Sequence, residues 1–321
     1  MKLATYKDGS RDGQLLVVSR DLTMAHYATG IAQRMQQVLD DWNFLSPQLE
    51  DLGATLNQGK ARHAFPFDAT QCMAPLPRAA QYACGLAYPS HVERLFPEKA
   101  QGLLMYQGYG HLQGACDAAK FADDLNADID FEAGLAVITG DVPAGATPEQ
   151  ALDGVRLLAL SNGWTLRRRM AQEIAQGFGL VQSKPAVAFS PVVVTSDELG
   201  DAWSEEGKQG LVNLTLQTAW NGRTVGLCDV SEGMGLGGLI AHLAATRRVR
   251  AGSIVGSGAV SNAAAEKGYN CIAEKRATEA ALDGESTTAF MKFGDTVRIE
   301  MKGRDGQSIF GAIEQRVEQR A

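Results

Sequence analysis

The chain has 321 residues, of which 45% are hydrophobic and 21% charged, with a net charge of -7. That is ordinary globular composition with enough chain for a large core, in one to three domains. The acidic balance argues against an electrostatic nucleic-acid footprint and against binding to anionic membrane surfaces.

Residues 1–20 mix charges with short apolar stretches, so no secretory leader is expected. No apolar run reaches the about 18 residues of a membrane span. Cys72, Cys84, Cys116, Cys228 and Cys271 are scattered, odd in number and without CxxC spacing. That predicts reduced thiols and a cytoplasmic setting, not a disulfide framework.

Asp12-Gly13 precedes Leu15-Leu16-Val17-Val18, which reads as a short strand. Ile31, Met35, Val38, Leu39 and Trp42 fall at helical spacing. Ser46-Pro47 reads as the start of a second helix, Ser as cap and Pro at the first position. Leu49, Leu52 and Leu56 give it an apolar stripe, and Asn57-Gln58-Gly59 ends it. Residues 60–71 read as a link. The expected division is therefore a small α+β module over 1–70 and a second domain over 71–321.

From Cys72 onward glycines are frequent, and strand candidates recur at 133–139, 192–195, 211–219, 253–255 and 296–301. Asn221-Gly222 is a strong hairpin signal and Asp305-Gly306 another. The texture is β-rich and not alternating βαβ. Residues 233–238 are glycine-rich but match no nucleotide fingerprint; they read as a loop before a helix over 239–247.

Several blocks of the second domain, in order, carry a resemblance. They include Met73-Ala74-Pro75-Leu76-Pro77-Arg78-Ala79, Met105-Tyr106-Gln107-Gly108 and Ile129-Asp130-Phe131-Glu132. Further blocks are Gln182-Ser183-Lys184-Pro185, Phe189-Ser190-Pro191-Val192, Gly256-Ser257-Gly258 and Cys271-Ile272-Ala273-Glu274. The chain resembles the bacterial two-domain branch of the fumarylacetoacetate hydrolase family, from end to end. The resemblance implies an α+β fold with a C-terminal mixed β-roll, a small N-terminal α+β module and a homodimer. It also implies a Mg²⁺ or Mn²⁺ ion that polarises a β-dicarbonyl or 2-oxo acid while a His moves a proton.

The same resemblance locates four carboxylate ligands, and three are replaced. Cys84 stands seven residues before His91, where the family has Asp. The family's Glu-x-Glu pair, two side chains on one face of a strand, is Glu132 and Gly134 here. Gly163, in Asn162-Gly163-Trp164-Thr165-Leu166-Arg167, replaces a second Asp. Ala259 replaces a Thr, and the segment from His91 to Tyr106, the family's lid, is short. A hard divalent ion needs several oxygen ligands, so no metal cofactor is expected, with Glu132 at most a residual ligand and Cys84 a soft one.

His91 is expected as general base with Glu93 as its acid partner. Tyr106, Gln107, Arg167 and Lys184 match the family's substrate-binding positions. Two further readings of the thiol are a softer metal site from Cys84, His91, Glu132 and His111, and a Cys84–His91 nucleophile pair. Glu274, Arg276 and Glu279 read as structural salt bridges.

The expected partner is a small oxo acid, with neither nucleic acid nor membrane. Without a Lewis acid, tautomerisation, decarboxylation or a lyase step is easier than C–C hydrolysis. The alternative is a non-catalytic binding or regulatory subunit of the same fold. Restoring Cys84→Asp, Gly134→Glu and Gly163→Asp together is expected to recreate Mn²⁺ binding. Gly134→Glu reads as the safest step, and Gly163→Asp as the riskiest, through a positive φ at that glycine.

Overall fold

The computed structural model describes residues 1–99, 102–108, 111–204 and 209–320. The apolar run after Asp12-Gly13 forms strand β2 (Gln14–Val18), antiparallel to β1 (Lys2–Tyr6) and to β3 (Met24–Tyr27). Side chains alternate along β2. Leu15 and Val17 pack in a core shared with helices α1 (Met35–Asp40) and α2 (Trp42–Asn57), whereas Leu16 and Val18 enter the larger core. The helical reading of this stretch holds, but its boundary does not. α2 begins at Trp42 and carries Pro47 inside it. Pro47 is the sixth residue of that helix, past the orphan N–H positions, so the helix runs through it at the loss of one i→i−4 hydrogen bond.

The β-rich part comprises β4 (Gln81–Gly85), β5 (Met105–Gly108), β6 (Ala133–Thr139), β7 (Val155–Leu166), β8 (Ala186–Phe189) and β9 (Val193–Val194). It continues with β10 (Thr215–Trp220), β11 (Arg223–Asp229), β12 (Ser253–Ala259), β13 (Thr296–Met301) and β14 (Ile313–Gln319). The larger sheet runs β3-β2-β1-β9-β7-β6-β12-β4-β5, so the N-terminal strands join the second domain through β1 and β9. The smaller sheet runs β11-β10-β13-β14. Most pairs are antiparallel, while β4 and β12 are parallel. This is a mixed α+β architecture and not a doubly wound parallel sheet. Asn221 and Gly222 join β10 to β11 with φ of 49° and 76°, the primed-turn geometry their sequence signals. No helix among the described residues is long and apolar enough to cross a membrane.

Four helices complete the frame of the site: α3 (Pro89–Leu95), α4 (Arg167–Gln176), α5 (Leu236–Ala244) and α6 (Ile272–Asp283). A buried amide ties the two sheets together. Gln315 on β14 accepts from Asn162 Nδ2 at 3.1 Å and from Trp164 Nε1 at 2.9 Å, and donates to Gln113 Oε1 at 3.0 Å. Gln315→Leu is expected to cost about 1–3 kcal/mol for each buried donor it strands. Urea unfolding of the variant checks this; stability equal to the parent would show that the amide is not what joins the sheets.

Candidate functional site

β7 and the segment just before β6 run side by side. The Gly163 N–H donates to the Glu132 carbonyl at 2.9 Å, and the Glu132 N–H donates to Asn162 Oδ1 at 3.1 Å. These bonds fix the Glu132 backbone and leave its side chain buried, 5% exposed. Lys184, in the loop before β8, donates to Glu132 Oε2 at 2.6 Å and to Thr165 Oγ1 at 2.7 Å. Its ammonium stands 5.3 Å from the centre of the Tyr106 ring. Arg167, the first residue of α4, ion-pairs with Glu132 Oε1 at 2.9 Å. Glu132 Oε2 thus accepts a hydrogen bond from Lys184, while Oε1 is ion-paired with Arg167 Nη2, which makes no hydrogen bond among the described residues. Burial alone would raise the Glu132 carboxyl; Lys184, Arg167 and His91 reverse that and bring it down to about 2.

Arg167 has a second carboxylate. Its Nε donates to Asp130 Oδ2 at 2.8 Å. Asp130 also accepts the Ile272 N–H at 2.7 Å and the Ala273 N–H at 3.0 Å, so it ties the arginine to the N-terminus of α6. In the first turn of that helix, Glu274 meets His91 of α3, with Nδ1 and Oε1 3.1 Å apart and both residues buried. Arg94 lies 3.7 Å from the same oxygen. Three carboxylates, Asp130, Glu132 and Glu274, therefore face three cations, Arg94, Arg167 and Lys184.

Cys84 closes the other side. On β4 it pairs with Tyr106 of β5 and with Gly256 of β12. Burial pushes its thiol up, so it is a neutral group and not a thiolate.

Sequence profiles describe both parts of the chain. Residues 1–78 match the fumarylacetoacetase N-terminal domain 2, and residues 81–318 match the fumarylacetoacetate hydrolase C-terminal domain. The chain belongs to the fumarylacetoacetate hydrolase family.

Solved structures share the fold. A fumarylacetoacetate hydrolase from Exiguobacterium antarcticum is 16% identical with a TM-score of 0.69 over 100% of both chains. A maleylpyruvate hydrolase from Sphingobium sp. SYK-6, in complex with manganese(II) and pyruvate, is 18% identical with a TM-score of 0.67 over 100% of both chains. A 2-hydroxyhepta-2,4-diene-1,7-dioate isomerase from Mycobacterium marinum is 14% identical with a TM-score of 0.61 over 100% of this chain and 99% of that one. A search of the curated proteins finds no match.

The residues at the family's metal positions do not fit a Mg²⁺ or Mn²⁺ ion. Gly134 and Gly163 offer no side chain, Cys84 offers a soft neutral sulfur, and the Glu132 oxygens are taken. The two glycines are also unlike each other. A Cβ on Gly134 would run into the Gly258 carbonyl far inside van der Waals contact. A Cβ on Gly163 would meet nothing nearer than Glu132 Oε2 at 3.5 Å, and its φ is not positive. The expected ranking of the two restorations is reversed.

The structure gathers His91, Glu132, Tyr106, Arg167, Lys184 and Cys84 around one cluster, and it sets two expected site residues aside. Glu93, two positions after His91 on α3, points to solvent, because positions i and i+2 do not share a helix face. The carboxylate that meets His91 is Glu274, expected only as a structural ion pair. Gln107 is exposed on the face of β5 opposite Tyr106, as strand alternation requires.

The soft metal set also regroups. His111 is exposed on a short strand beside Ala186, its N–H donating to the Pro185 carbonyl at 3.1 Å, and it is not in the convergent ligand-type group. Among the described residues the ligand-type group that converges is His91, Cys271 and Glu274, whose atoms lie within 4.8 Å of one another. Burial drives the Cys271 thiol well up. Asp130 and Thr165 belong to the cluster and carried no signal in their own spacing; Asp130 could have been found from its place beside Glu132 in the Ile-Asp-Phe-Glu block.

Proposed function

We propose that this family member handles a small 2-oxo or β-dicarbonyl acid without a metal ion. The single supporting observation is the buried Lys184–Glu132–Arg167 network beside the His91–Glu274 pair. In metal-dependent catalysis the ion supplies several kcal/mol of charge stabilisation at a developing enolate. Here two fixed cations replace it. Exchange of a Glu132 contact for a substrate carboxylate or carbonyl would let Arg167 hold the anion and Lys184 donate to the carbonyl oxygen. His91, oriented by Glu274, would move the proton. Such a site suits tautomerisation, decarboxylation or a lyase step better than C–C hydrolysis. The five cysteines are free, in keeping with a cytoplasmic protein, and a homodimer through the β-rich part is the assembly the family suggests.

Calorimetric titration with oxalate and pyruvate, with chelator present and then with Mn²⁺, tests the reading. Binding in chelator that is unchanged by Mn²⁺ supports it. Binding only with Mn²⁺ overturns it, and no binding in either condition favours a non-catalytic subunit. Glu274→Gln is expected to keep oxalate affinity within about threefold while lowering solvent exchange of the pyruvate methyl protons by about 10²-fold, the span of general acid–base catalysis. Equal exchange in the variant would remove Glu274 from the proton path.

A further inference from the structure

At the other end of the β4–β12 pair lies a cavity of about 430 Å³, within the size range of small-ligand sites. Arg247, Arg248 and Arg250 line it, and no carboxylate does. Two of these guanidinium groups are uncommitted. Arg248 is fixed by Asp141 at 2.8 Å, but among the described residues Arg247 and Arg250 have no acidic partner.

A chain of net charge -7 that places three arginines in four positions around one cavity accepts their mutual repulsion. One multivalent anion relieves that repulsion, because guanidinium forks match phosphate and carboxylate oxygens in pairs.

We propose that this cavity is a second site, for a small ligand bearing two or more negative charges on phosphate or carboxylate groups. It is separate from the cluster around Glu132. Gln81 and Ser253 are register partners at the cavity end, while Cys84 and Gly256 pair three residues further on, about 10 Å along the strands. Tyr82 joins the two places. It lines the cavity, and its hydroxyl lies 3.3 Å from where a Cβ on Gly256 would be, beside Cys84. A ligand against the arginines would therefore rest on the same side chain that backs the other cluster. The size of the cavity suits a metabolite-sized anion, and the net charge of the chain disfavours a nucleic-acid strand.

The test is calorimetric titration of the full chain with inorganic pyrophosphate and with citrate, against sodium chloride at matched ionic strength. Saturable binding of one equivalent of pyrophosphate or citrate is expected, weakened at least tenfold by Arg247→Gln and by Arg250→Gln. Arg304→Gln, elsewhere on the surface, should leave it unchanged. Preference for pyrophosphate identifies a phosphate-bearing ligand, and preference for citrate a polycarboxylate. Heats that do not saturate, or affinities indifferent to both arginine substitutions, overturn the proposal. The arginines are exposed, so loss of the fold is not expected to confuse the result; thermal unfolding without ligand verifies that.

Discussion

Lys184→Met is expected to lower the unfolding free energy by about 3–5 kcal/mol at neutral pH, the cost of breaking a buried pair from one side. Methionine keeps most of the lysine stem but none of its charge. Glu132 would then be left with Arg167 alone, and Arg167 already serves Asp130. Thr165 would lose its 2.7 Å donor as well.

The pH dependence has a definite sign. The Glu132 carboxyl is depressed from 4.5 to about 2 in the folded chain. A depressed carboxyl stabilises above its unfolded value, and the contribution disappears as pH falls from about 4.5 through 2. That depression is set by Lys184, Arg167 and His91 together, so the variant loses the share that Lys184 supplies. The gap between parent and variant should therefore be widest near pH 7 and narrow below about pH 4.

Urea unfolding at several pH values measures it. A gap that stays constant down to about pH 3 would mean that lost packing around Lys184, and not lost charge, sets the cost. Adding Glu132→Gln to Lys184→Met removes the stranded charge and should recover about half of the loss.

The elements legible in the sequence share a physical reason. The sequence marks β6 and β13 at their observed boundaries because each is a compact apolar or alternating run between turn residues. β7 does not stand out as a strand in the sequence. Its first half, Val-Arg-Leu-Leu-Ala-Leu, runs into Ser161-Asn162-Gly163, which on its own looks like a loop. Those polar residues are buried because the site needs them: Asn162 bridges the Glu132 backbone to Gln315. The residues matched to family positions, Glu132, Arg167, Lys184 and His91, do lie together, yet the carboxylate beside His91 is Glu274 and not Glu93. Glu274 is 183 residues from His91, and no local spacing connects them. Glu93 is the nearer carboxylate in sequence, but a helix turns that nearness into an opposite direction.

Gly134→Ala is expected to destabilise the chain by about 1–3 kcal/mol or more, as overpacking does, while Gly163→Ala should stay within about 0.5 kcal/mol of the parent. The difference comes from β12. Between the pairs Gly134–Ala259 and Ala136–Gly256 that strand carries one extra residue, a bulge. Gly258 sits there with φ of 74° and presses its carbonyl onto the space a side chain at 134 would need. Gly163, by contrast, lies in extended β7 with Glu132 as its nearest neighbour across ordinary contact distance.

Restoration of the family's metal ligands is therefore blocked at the position of the second glutamate. Gly163→Asp should remain folded and gain no Mn²⁺ affinity, since it adds one carboxylate beside a Glu132 already held by Lys184 and Arg167. The triple variant Cys84→Asp, Gly134→Glu, Gly163→Asp should fail to reach the native fold. Circular dichroism and Mn²⁺ titration of the two variants decide the matter. A folded triple variant that binds Mn²⁺ would show that the β12 bulge can withdraw from Gly134. The loss of the ligands would then be reversible side-chain change on an unaltered scaffold. Failure to fold would show instead that the backbone has closed over the position, so that the cations around Glu132 belong to a site rebuilt without the ion.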